Sequence, residues 1–466
     1  MIQKMLTKYW LVFHVAVLFF ATWASVFHSN TGWVICFWLA FFAIQAFLLL
    51  PSGLRGETLG AAQSRSLGSA IQDPFVYAGI AFICFTGLQW LNSGCPLVYV
   101  EDTEVWRYRS PPVSWLPFSI QPFPAFTIMA IVVVSVVGGV LFRNGMGRAS
   151  KRFFLNLASM VSGCVALYMV VQGLSGVQPY AAWGGEAKAC NWGTCFGFWM
   201  IVALGGHLNF MDTRFSKTLV WSFFSLLGNL LGMLQFETPL GIALFAVAAV
   251  VMLGYWVFVL RQENGTTQLK LFSCVLMAAV LTGVFFVFLS PGHPATEKVT
   301  LLTHSAYYKG HLNERQFLAS IAWRIWQDFS WLGVGADGFA HYGQTLIEEA
   351  DWARLEACGG HLSNDWLQFL TEHGIVGLGL FAALILVLLG PLFSRLRIVF
   401  QQKEREAVVE MDAYVVSGVL ASVVMLVSSV LFSPLQSGAI LVSFVYVLAM
   451  IPGFLPTGKN VNEVRG

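Results

Sequence analysis

The chain has 466 residues, of which 57% are hydrophobic and only 11% are charged, and its formal net charge at pH 7 is +2. A mean hydropathy of +0.70 excludes an ordinary soluble globular protein. The small net charge and the lack of a basic cluster argue against nucleic acid as a partner. The lipid bilayer is therefore the expected environment of most of the chain.

Apolar stretches long enough to cross a bilayer recur along the sequence. One membrane-spanning helix needs roughly 20 mostly apolar residues. We expect an all-α integral membrane protein with about twelve such helices and one large extracytoplasmic loop that contains short helices. The predicted spans lie near residues 9–27, 32–50, 75–94, 123–142, 153–174, 194–210, 218–235, 240–260, 270–290, 374–393, 413–432 and 436–456.

The distribution of Lys and Arg predicts how the chain is oriented, because these residues are retained on the cytoplasmic side of spans. With Lys4 and Lys8 inside, most of the 26 Lys and Arg fall in cytoplasmic connections. Both termini are then cytoplasmic. The chain divides into spans 1–9 over residues 1–290, an outer loop over 291–372 that holds the expected active site, and spans 10–12 with a cytoplasmic tail over 373–466.

The eight cysteines fall into two groups. Cys36, Cys84, Cys164 and Cys274 lie in apolar stretches and are interpreted as small packing residues. The other four fall on or near the predicted outer face, where oxidation is possible. A disulfide between Cys190 and Cys195 is one hypothesis, and their spacing alone does not indicate a zinc site.

The first half of the outer loop predicts a helix and a glycine-rich turn. Asn313 and Gln316 resemble a capping box, which predicts a helix from about Asn313 to Phe329 with Arg324 on its polar stripe. The following segment, GVGADG at 333–338, matches the pattern of a dinucleotide-binding loop. It follows a helix rather than a strand, so we expect instead a flexible turn or a cradle of backbone amides for an anion.

The end of the loop predicts a helix boundary at the membrane surface. Ser363 or Asn364 can cap a short helix that Gly374 interrupts before the next span. His361 then lies just before that helix.

Two stretches carry a resemblance to a known family: RIWQDFSWLGVGADGF at 324–339 and NDWLQFLTEHG at 364–374. Together with the position of the large loop, they resemble the O-antigen ligase and Wzy-type O-antigen polymerase family of bacterial membrane proteins. The resemblance implies a metal-independent, inverting glycosyltransferase of cell-surface polysaccharide or lipopolysaccharide biosynthesis. It places the protein in the inner membrane, with the active site facing the periplasm and no cofactor.

The substrates follow from the same resemblance. The implied donor is a glycan linked to undecaprenyl pyrophosphate, and the acceptor is lipid A-core, a polysaccharide or a protein. Arg324 is the expected clamp for the pyrophosphate, because a guanidinium matches phosphate oxygens. His361 is the expected base that deprotonates the acceptor hydroxyl. The other expected substrate-binding residues are Arg315, Lys309, Asn364, Asp365 and Glu372.

The sequence departs from the family pattern at two places. Ser363 stands where the family has a histidine directly before the Asn-Asp pair, so His361 is displaced by two residues. The sequence around Glu237 lacks a Ser-Arg pair that the family has before the span at 240–260, and Arg315 or Lys309 would have to replace that arginine.

Two other functions remain open. Twelve helices would also suit a transporter or flippase, although few ionisable groups lie in the predicted spans. A non-catalytic relative that binds a lipid-linked glycan is the other alternative.

Overall fold

The protein is described by a computed structural model that covers residues 2–25, 29–49, 64, 67–95, 97–100, 105–174, 186–211, 217–237, 239–260, 305–357, 361–401 and 412–455. These residues form α-helices, short π and 3₁₀ turns, and one two-stranded hairpin. The first eight helices are α1 (Ile2–Ser25), α2 (Ser29–Leu49), α3 (Pro74–Leu91), α4 (Pro122–Val140), α5 (Arg148–Leu174), α6 (Glu186–Met211), α7 (Lys217–Phe236) and α8 (Pro239–Leu260). The later helices are α9 (Ser305–Asp328), α10 (Gly338–Gln344), α11 (Glu349–Ala357), α12 (Asp365–Gln401), α13 (Ala413–Leu431) and α14 (Gly438–Met450).

The expectation of a helical membrane protein is confirmed. Each predicted span that falls on described residues coincides with a helix, and the span predicted at 270–290 lies outside the described residues. Within the described ranges, five helical stretches are long and apolar enough to cross a membrane: Pro74–Leu91, Pro122–Gly145, Arg148–Gly173, Asp365–Phe393 and Ala413–Leu431. The total of twelve spans, and the side of the membrane on which the loop lies, stay predictions.

Three local expectations were wrong. The helix α9 begins at Ser305, so Asn313 lies inside it rather than at its N-cap. Once a helix has started, each added residue gains a hydrogen bond at a small further entropic cost, so a weak internal cap signal does not stop it. The segment 95–122 is rich in proline and aromatic residues, which predicts an interfacial loop of stiff turns. It contains a hairpin instead, in which β1 (Leu97–Val100) pairs antiparallel with β2 (Val105–Tyr108).

The third wrong expectation concerns the Cys190–Cys195 disulfide. Cys195 is a free, buried thiol. Both cysteines belong to α6. Five residues along a helix correspond to a rotation of roughly 140° beyond one full turn, so positions 190 and 195 do not lie on the same face of α6.

The described residues divide into two compact units. Unit 1 comprises residues 1–146, 309–388 and 429–446, and unit 2 comprises residues 147–308, 389–428 and 447–466. In unit 1, α2 packs on α1 and α4, and α3 packs on α4. Tyr446 of α14 lies directly against Gly138 of α4, where a Cβ would come within 2.1 Å of its ring, and its hydroxyl donates to the Val134 carbonyl at 3.1 Å.

A second cluster of unit 1 supports the segment before α12. Leu318, Ile321 and Ile325 form the buried face of α9, and they pack with Val334, Phe339, Leu355 and Leu362. This face has the helical spacing that the sequence predicted for an amphipathic segment. It fixes the backbone at Leu362, next to His361.

Unit 2 is a helical bundle in which α5, α6 and α7 pack on one another and α8 packs on α6. The backbones of α5 and α7 approach closely at Gly163 and Gly228, where a Cβ on Gly228 would lie 2.5 Å from the Gly163 carbonyl oxygen. Glu237, at the place where the family has its Ser-Arg pair, is buried and accepts a 2.5 Å hydrogen bond from the Thr194 hydroxyl.

Candidate active site

A cavity of about 380 Å³ lies within unit 1 and combines an apolar wall with a polar end. The wall includes aromatic and aliphatic side chains of α4 and α12, among them Phe123, Ile128, Ile131, Trp366, Phe369 and Phe381. The polar end is formed by Asp337, His361, Asp365, Gln368, Glu372, His373 and Gln436. Such a mixed lining suits a ligand that has both a hydrocarbon part and a polar head.

The first two turns of α12 bring three of these polar residues onto one face. The Asn364 side chain caps the helix by accepting from the Leu367 amide at 3.0 Å, and the Asn364 carbonyl accepts from the Gln368 amide at 3.1 Å. Asp365, Gln368 and Glu372 then follow at spacings of three and four residues, which places them on the same side of the helix. All three are buried.

The glycine-rich segment pairs with a kink in α12. Gly374 is non-helical, with φ 65° and ψ −172°. Around it, the Gly335 amide donates to the Glu372 carbonyl at 2.7 Å, and the Ile375 amide donates to the Ser330 carbonyl at 2.9 Å. The kink exposes backbone groups that a straight helix would use internally, and the chain from Ser330 to Gly335 forms hydrogen bonds with them.

Positive φ angles and close contacts require glycine at this junction. Gly333 and Gly335 have φ angles of +69° and +84°. A Cβ at Gly333 would lie 2.3 Å from the Glu372 backbone, and one at Gly335 would lie 2.3 Å from the Ser119 Cα atom. A side chain therefore fits at neither position.

The backbone amides after the glycine-rich turn face the side chain of the protein's own Glu372. It accepts hydrogen bonds from the Asp337 and Phe339 amides at the start of α10, and from the Gln368 side chain at 3.0 Å. The sequence predicted either a flexible turn or an amide cradle for an anion at 333–338. The structure shows a cradle, occupied from within the chain.

Gln368 is the centre of the polar network. Its Oε1 atom accepts from the Leu362 amide at 2.9 Å and from Gln436 Nε2 at 2.5 Å. Its Nε2 atom donates to Glu372 and lies 3.1 Å from His361 Nδ1. His361 is therefore held through α12 and through the loop that precedes α14, which carries Gln436.

Asp365 has one satisfied and one unsatisfied carboxylate oxygen. Oδ2 accepts a 2.9 Å hydrogen bond from the Leu435 amide. Oδ1 is buried and has no hydrogen-bond partner in the described part of the chain. The residue as a whole lines the cavity.

His373 also lines the cavity and is almost completely buried. Its Nδ1 atom lies 2.8 Å from Gln89 Oε1, and the centroid of its ring is 4.4 Å from that of Phe369. The Nε2 atom of Gln89 donates at 3.4 Å to the carbonyls of Leu332 and Glu372.

Neither Arg324 nor Arg315 belongs to the described lining of the cavity. Arg324 is exposed on α9, and its Nη1 atom donates to the Leu346 carbonyl at 3.3 Å. Arg315 is also exposed, and its guanidinium carbon lies 5.7 Å from the ring centre of Phe432, shortly before Leu435 and Gln436. The backbone of Lys309 belongs to α9, and its side chain lies outside the described residues.

The other expected site residues divide into two groups. His361, Asp365 and Glu372 come together in the cavity, whereas Asn364 acts as a helix cap beside it. Sequence reasoning did not single out Gln368, His373, Asp337, Gln436 or Gln89. Gln368 and His373 lie inside the quoted stretch at 364–374, so the period of the helix could have placed Gln368 with Asp365. Gln89 and Gln436 are distant in the sequence and had no such signal.

The aromatic cluster beside the cavity involves the hairpin. Tyr108 stacks on Tyr342 of α10 with ring centroids 6.0 Å apart, and burial raises the pKa of the Tyr108 hydroxyl. The Nε2 atom of the neighbouring His341 lies 2.7 Å from Gln121 Nε2 and 3.7 Å from Asp337 Oδ2. In the described ranges, no group of three or more His, Cys, Asp and Glu residues has an arrangement suited to a metal ion.

Comparison with known families gives one match. Residues 224–382, which include α9 to α11, the glycine-rich segment and the first part of α12, match the family model described as O-antigen ligase. A search of curated proteins gave no match to the chain.

Proposed function

The chain carries an O-antigen ligase domain, and from this premise we propose that it transfers a glycan from undecaprenyl pyrophosphate to an acceptor at the periplasmic face of a bacterial inner membrane. The match to this family supports glycosyl transfer at a membrane in polysaccharide biosynthesis. The identities of the donor, of the acceptor and of the membrane are part of our proposal. Lipid A-core, a polysaccharide end and a protein side chain are the acceptors to be tested.

The observation that carries the proposal is the cavity of unit 1. Its apolar wall can contact the lipid part of a glycolipid, and its polar end presents His361, Asp365, Gln368 and Glu372 to the sugar and phosphate. Three of the seven residues expected from the sequence to act on substrate, His361, Asp365 and Glu372, line this cavity.

The reaction is a single displacement at the anomeric carbon. The acceptor oxygen forms a bond to that carbon, the bond from the carbon to the phosphate oxygen breaks, and undecaprenyl pyrophosphate leaves with the electron pair. The configuration at the anomeric carbon is inverted. A group in the cavity has to take the proton of the acceptor hydroxyl, and we place His361 among the catalytic residues.

The pyrophosphate needs positive charge, which the cavity lining does not itself supply. We propose that Arg324 and Arg315 of α9 bind it, with Lys309 on the same helix. Arg324 has one 3.3 Å hydrogen bond, to the Leu346 carbonyl, so most of its N–H groups remain available for phosphate oxygens. A bound glycolipid would draw these exposed side chains toward its charged head.

The test uses the full chain in lipid nanodiscs with undecaprenyl-pyrophosphate-linked glycans and each class of acceptor. Free undecaprenyl pyrophosphate and glycosylated acceptor are quantified for the wild type, His361→Ala and Arg324→Ala. The matched control for the second variant is Arg109→Ala, which removes an exposed arginine after the hairpin. We expect release that depends on acceptor and falls at least tenfold in the two site variants only.

Two other outcomes would support the alternative functions. Glycolipid that binds without release of undecaprenyl pyrophosphate, with every acceptor, would indicate a non-catalytic binding protein. Intact glycolipid that crosses between the two leaflets would indicate a flippase.

A further inference from the structure

Asp337 provides the most accessible of the acidic side chains in the described lining of the cavity. That lining includes three acidic residues, Asp337, Asp365 and Glu372. The Asp337 side chain is 36% exposed, whereas Asp365 and Glu372 are buried. A ligand in the cavity can therefore reach the Asp337 carboxylate, whereas burial limits access to the other two.

The fold makes little use of the Asp337 carboxylate. An aspartate directly before a helix commonly caps it with its side chain, but Asp337 makes no such hydrogen bond to α10. Its one ion-pair contact within the described ranges is with His341, whose Nε2 atom lies 3.7 Å from Asp337 Oδ2. The carboxylate oxygens thus keep lone pairs for a hydroxyl group of a ligand.

The backbone of Asp337 adopts a conformation that glycine adopts more easily. In the described ranges, it is the one residue other than glycine with a positive φ, at 59°. This conformation is unfavourable for a residue with a Cβ, although aspartate tolerates it better than most. The Asp337 amide donates to the Glu372 carboxyl group, which a glycine amide could also do. The fold therefore needs the backbone of this residue and not its carboxylate.

The other titratable groups of the lining are more strongly engaged or less accessible. Glu372 accepts from one side chain and from two backbone amides, and Asp365 accepts from two backbone amides. His373 is almost completely buried, and its Nδ1 atom contacts an amide side chain. His361 has contacts of its own, among them Gln368.

His341 offers a route for a proton from Asp337 to water. It lies four residues after Asp337, about one helical turn away, and its side chain is 32% exposed. Its Nε2 atom also lies 2.7 Å from Gln121 Nε2, a contact that holds the ring in place. An imidazole can take up and release a proton near neutral pH. A proton on Asp337 can therefore leave by way of His341.

We propose that the Asp337 carboxylate is the base of the glycosyl transfer and that His341 acts through it as a positioning residue. One carboxylate oxygen takes the proton of the acceptor hydroxyl while the hydroxyl oxygen bonds to the anomeric carbon. The bond from that carbon to the phosphate oxygen breaks, and undecaprenyl pyrophosphate leaves with the electron pair. The proton then passes by way of His341 to water, which restores the carboxylate. This assignment rests on the proposed function, and it leaves His361 to contact the substrate without taking its proton.

Two substitutions at Asp337 separate chemistry from folding in the nanodisc assay. Asp337→Asn keeps the size of the side chain but cannot take a proton, so kcat should fall about 100- to 10,000-fold. Asp337→Gly suits the positive φ, so its unfolding midpoint should be no lower than that of the wild type while its kcat falls as far. The matched control is Asp351→Asn, which changes an aspartate of the same 36% exposure on α11 and should leave kcat unchanged.

Chemical rescue distinguishes a missing base from a missing structural contact. Formate is a small carboxylate that can enter the space vacated in Asp337→Gly and take the proton in place of the side chain. We expect added formate to raise the transfer rate of Asp337→Gly at least about tenfold and to leave His361→Ala unchanged.

A double-mutant cycle tests the role of His341. His341→Gln should lower kcat about tenfold without changing KM for the donor, because the residue acts on the transition state through Asp337. In the Asp337→Asn background, the same substitution should have no further effect. An equal loss in both backgrounds would overturn the role of His341.

Two results would overturn the assignment of Asp337 while leaving the transferase function intact. One is an Asp337→Asn protein that keeps kcat within about threefold of the wild type. The other is formate that has no effect on Asp337→Gly, and rescue of His361→Ala in its place would move the base to His361. If the wild type releases no undecaprenyl pyrophosphate with any acceptor, the proposed function fails, and the assignment fails with it.

Discussion

The backbone amide of Gly335 donates a 2.7 Å hydrogen bond to the carbonyl of Glu372. This bond joins the glycine-rich segment to the kink of α12, and both segments line the cavity through Asp337 and Glu372. The glycines of this protein therefore position the cavity through their backbone.

We predict that Gly335→Ala destabilises the protein, because the residue has φ +84° and a Cβ would lie 2.3 Å from Ser119. The positive φ alone costs about 1–3 kcal/mol. The matched control is Gly379→Ala in α12, where no atom lies within 4 Å of the added Cβ. Thermal unfolding in detergent should show a lower midpoint for Gly335→Ala, and an unchanged or higher midpoint for the control. Equal midpoints would contradict the tight packing of this junction.

Replacing Gln368 should remove the hydrogen bonds that link the polar residues of the cavity. Gln368→Ala leaves the Leu362 amide and the Glu372 carboxylate without their side-chain partner, which costs about 1–3 kcal/mol of folding free energy. Thermal unfolding in detergent should show a lower midpoint for this variant. Gln327→Ala, at an exposed position of α9, serves as the control and should leave the unfolding midpoint unchanged.

The ion pair between Asp73 and Arg143 should be a main source of stability at one end of α3. Asp73 accepts from Arg143 at 2.6 and 2.9 Å, from Asn144 at 3.1 Å and from the Phe75 amide at 3.0 Å. Both side chains are mostly buried, so Asp73→Ala should cost about 3–5 kcal/mol by leaving a buried charge. Glu348→Ala, at an exposed position, is the comparison. A drop in midpoint no larger than that of Glu348→Ala would show that water replaces the pair.

Cys195 should remain a thiol in the folded protein. It is fully buried in α6, so a thiol reagent should label it only after unfolding. Mass spectrometry of the unreduced protein after digestion should find no cross-linked peptide between Cys190 and Cys195. The appearance of that peptide would restore the hypothesis drawn from the sequence.

The predicted orientation can be tested with two single-cysteine proteins in a cysteine-depleted background. Ser320 on α9 and Ala149 at the start of α5 are both exposed. The charge pattern predicts that Ser320→Cys reacts with a membrane-impermeant reagent added to intact spheroplasts, and that Ala149→Cys reacts only after lysis. Labelling in the opposite order would reverse the orientation and move the cavity to the cytoplasmic face.

The sequence determined the membrane class, the helices of the described spans and the kink at Gly374, because these depend on local properties. Hydrophobic length sets a span, a capping side chain starts a helix, and glycine permits a positive φ. The stretches at 324–339 and 364–374 also indicated the family, which the match over residues 224–382 supports. His361, Asp365 and Glu372 were named from the same stretches.

Tertiary structure decided which of these residues meet and what each can do. Gln436 and Gln89 reach the site from distant helices, and no local pattern predicts a contact across such a distance in the chain. The orientation of the Gln368 amide depends on the Leu362 backbone and on Gln436. A sequence shows that a glutamine is present, but only the donors and acceptors that the fold places around its side chain decide which hydrogen bonds it forms.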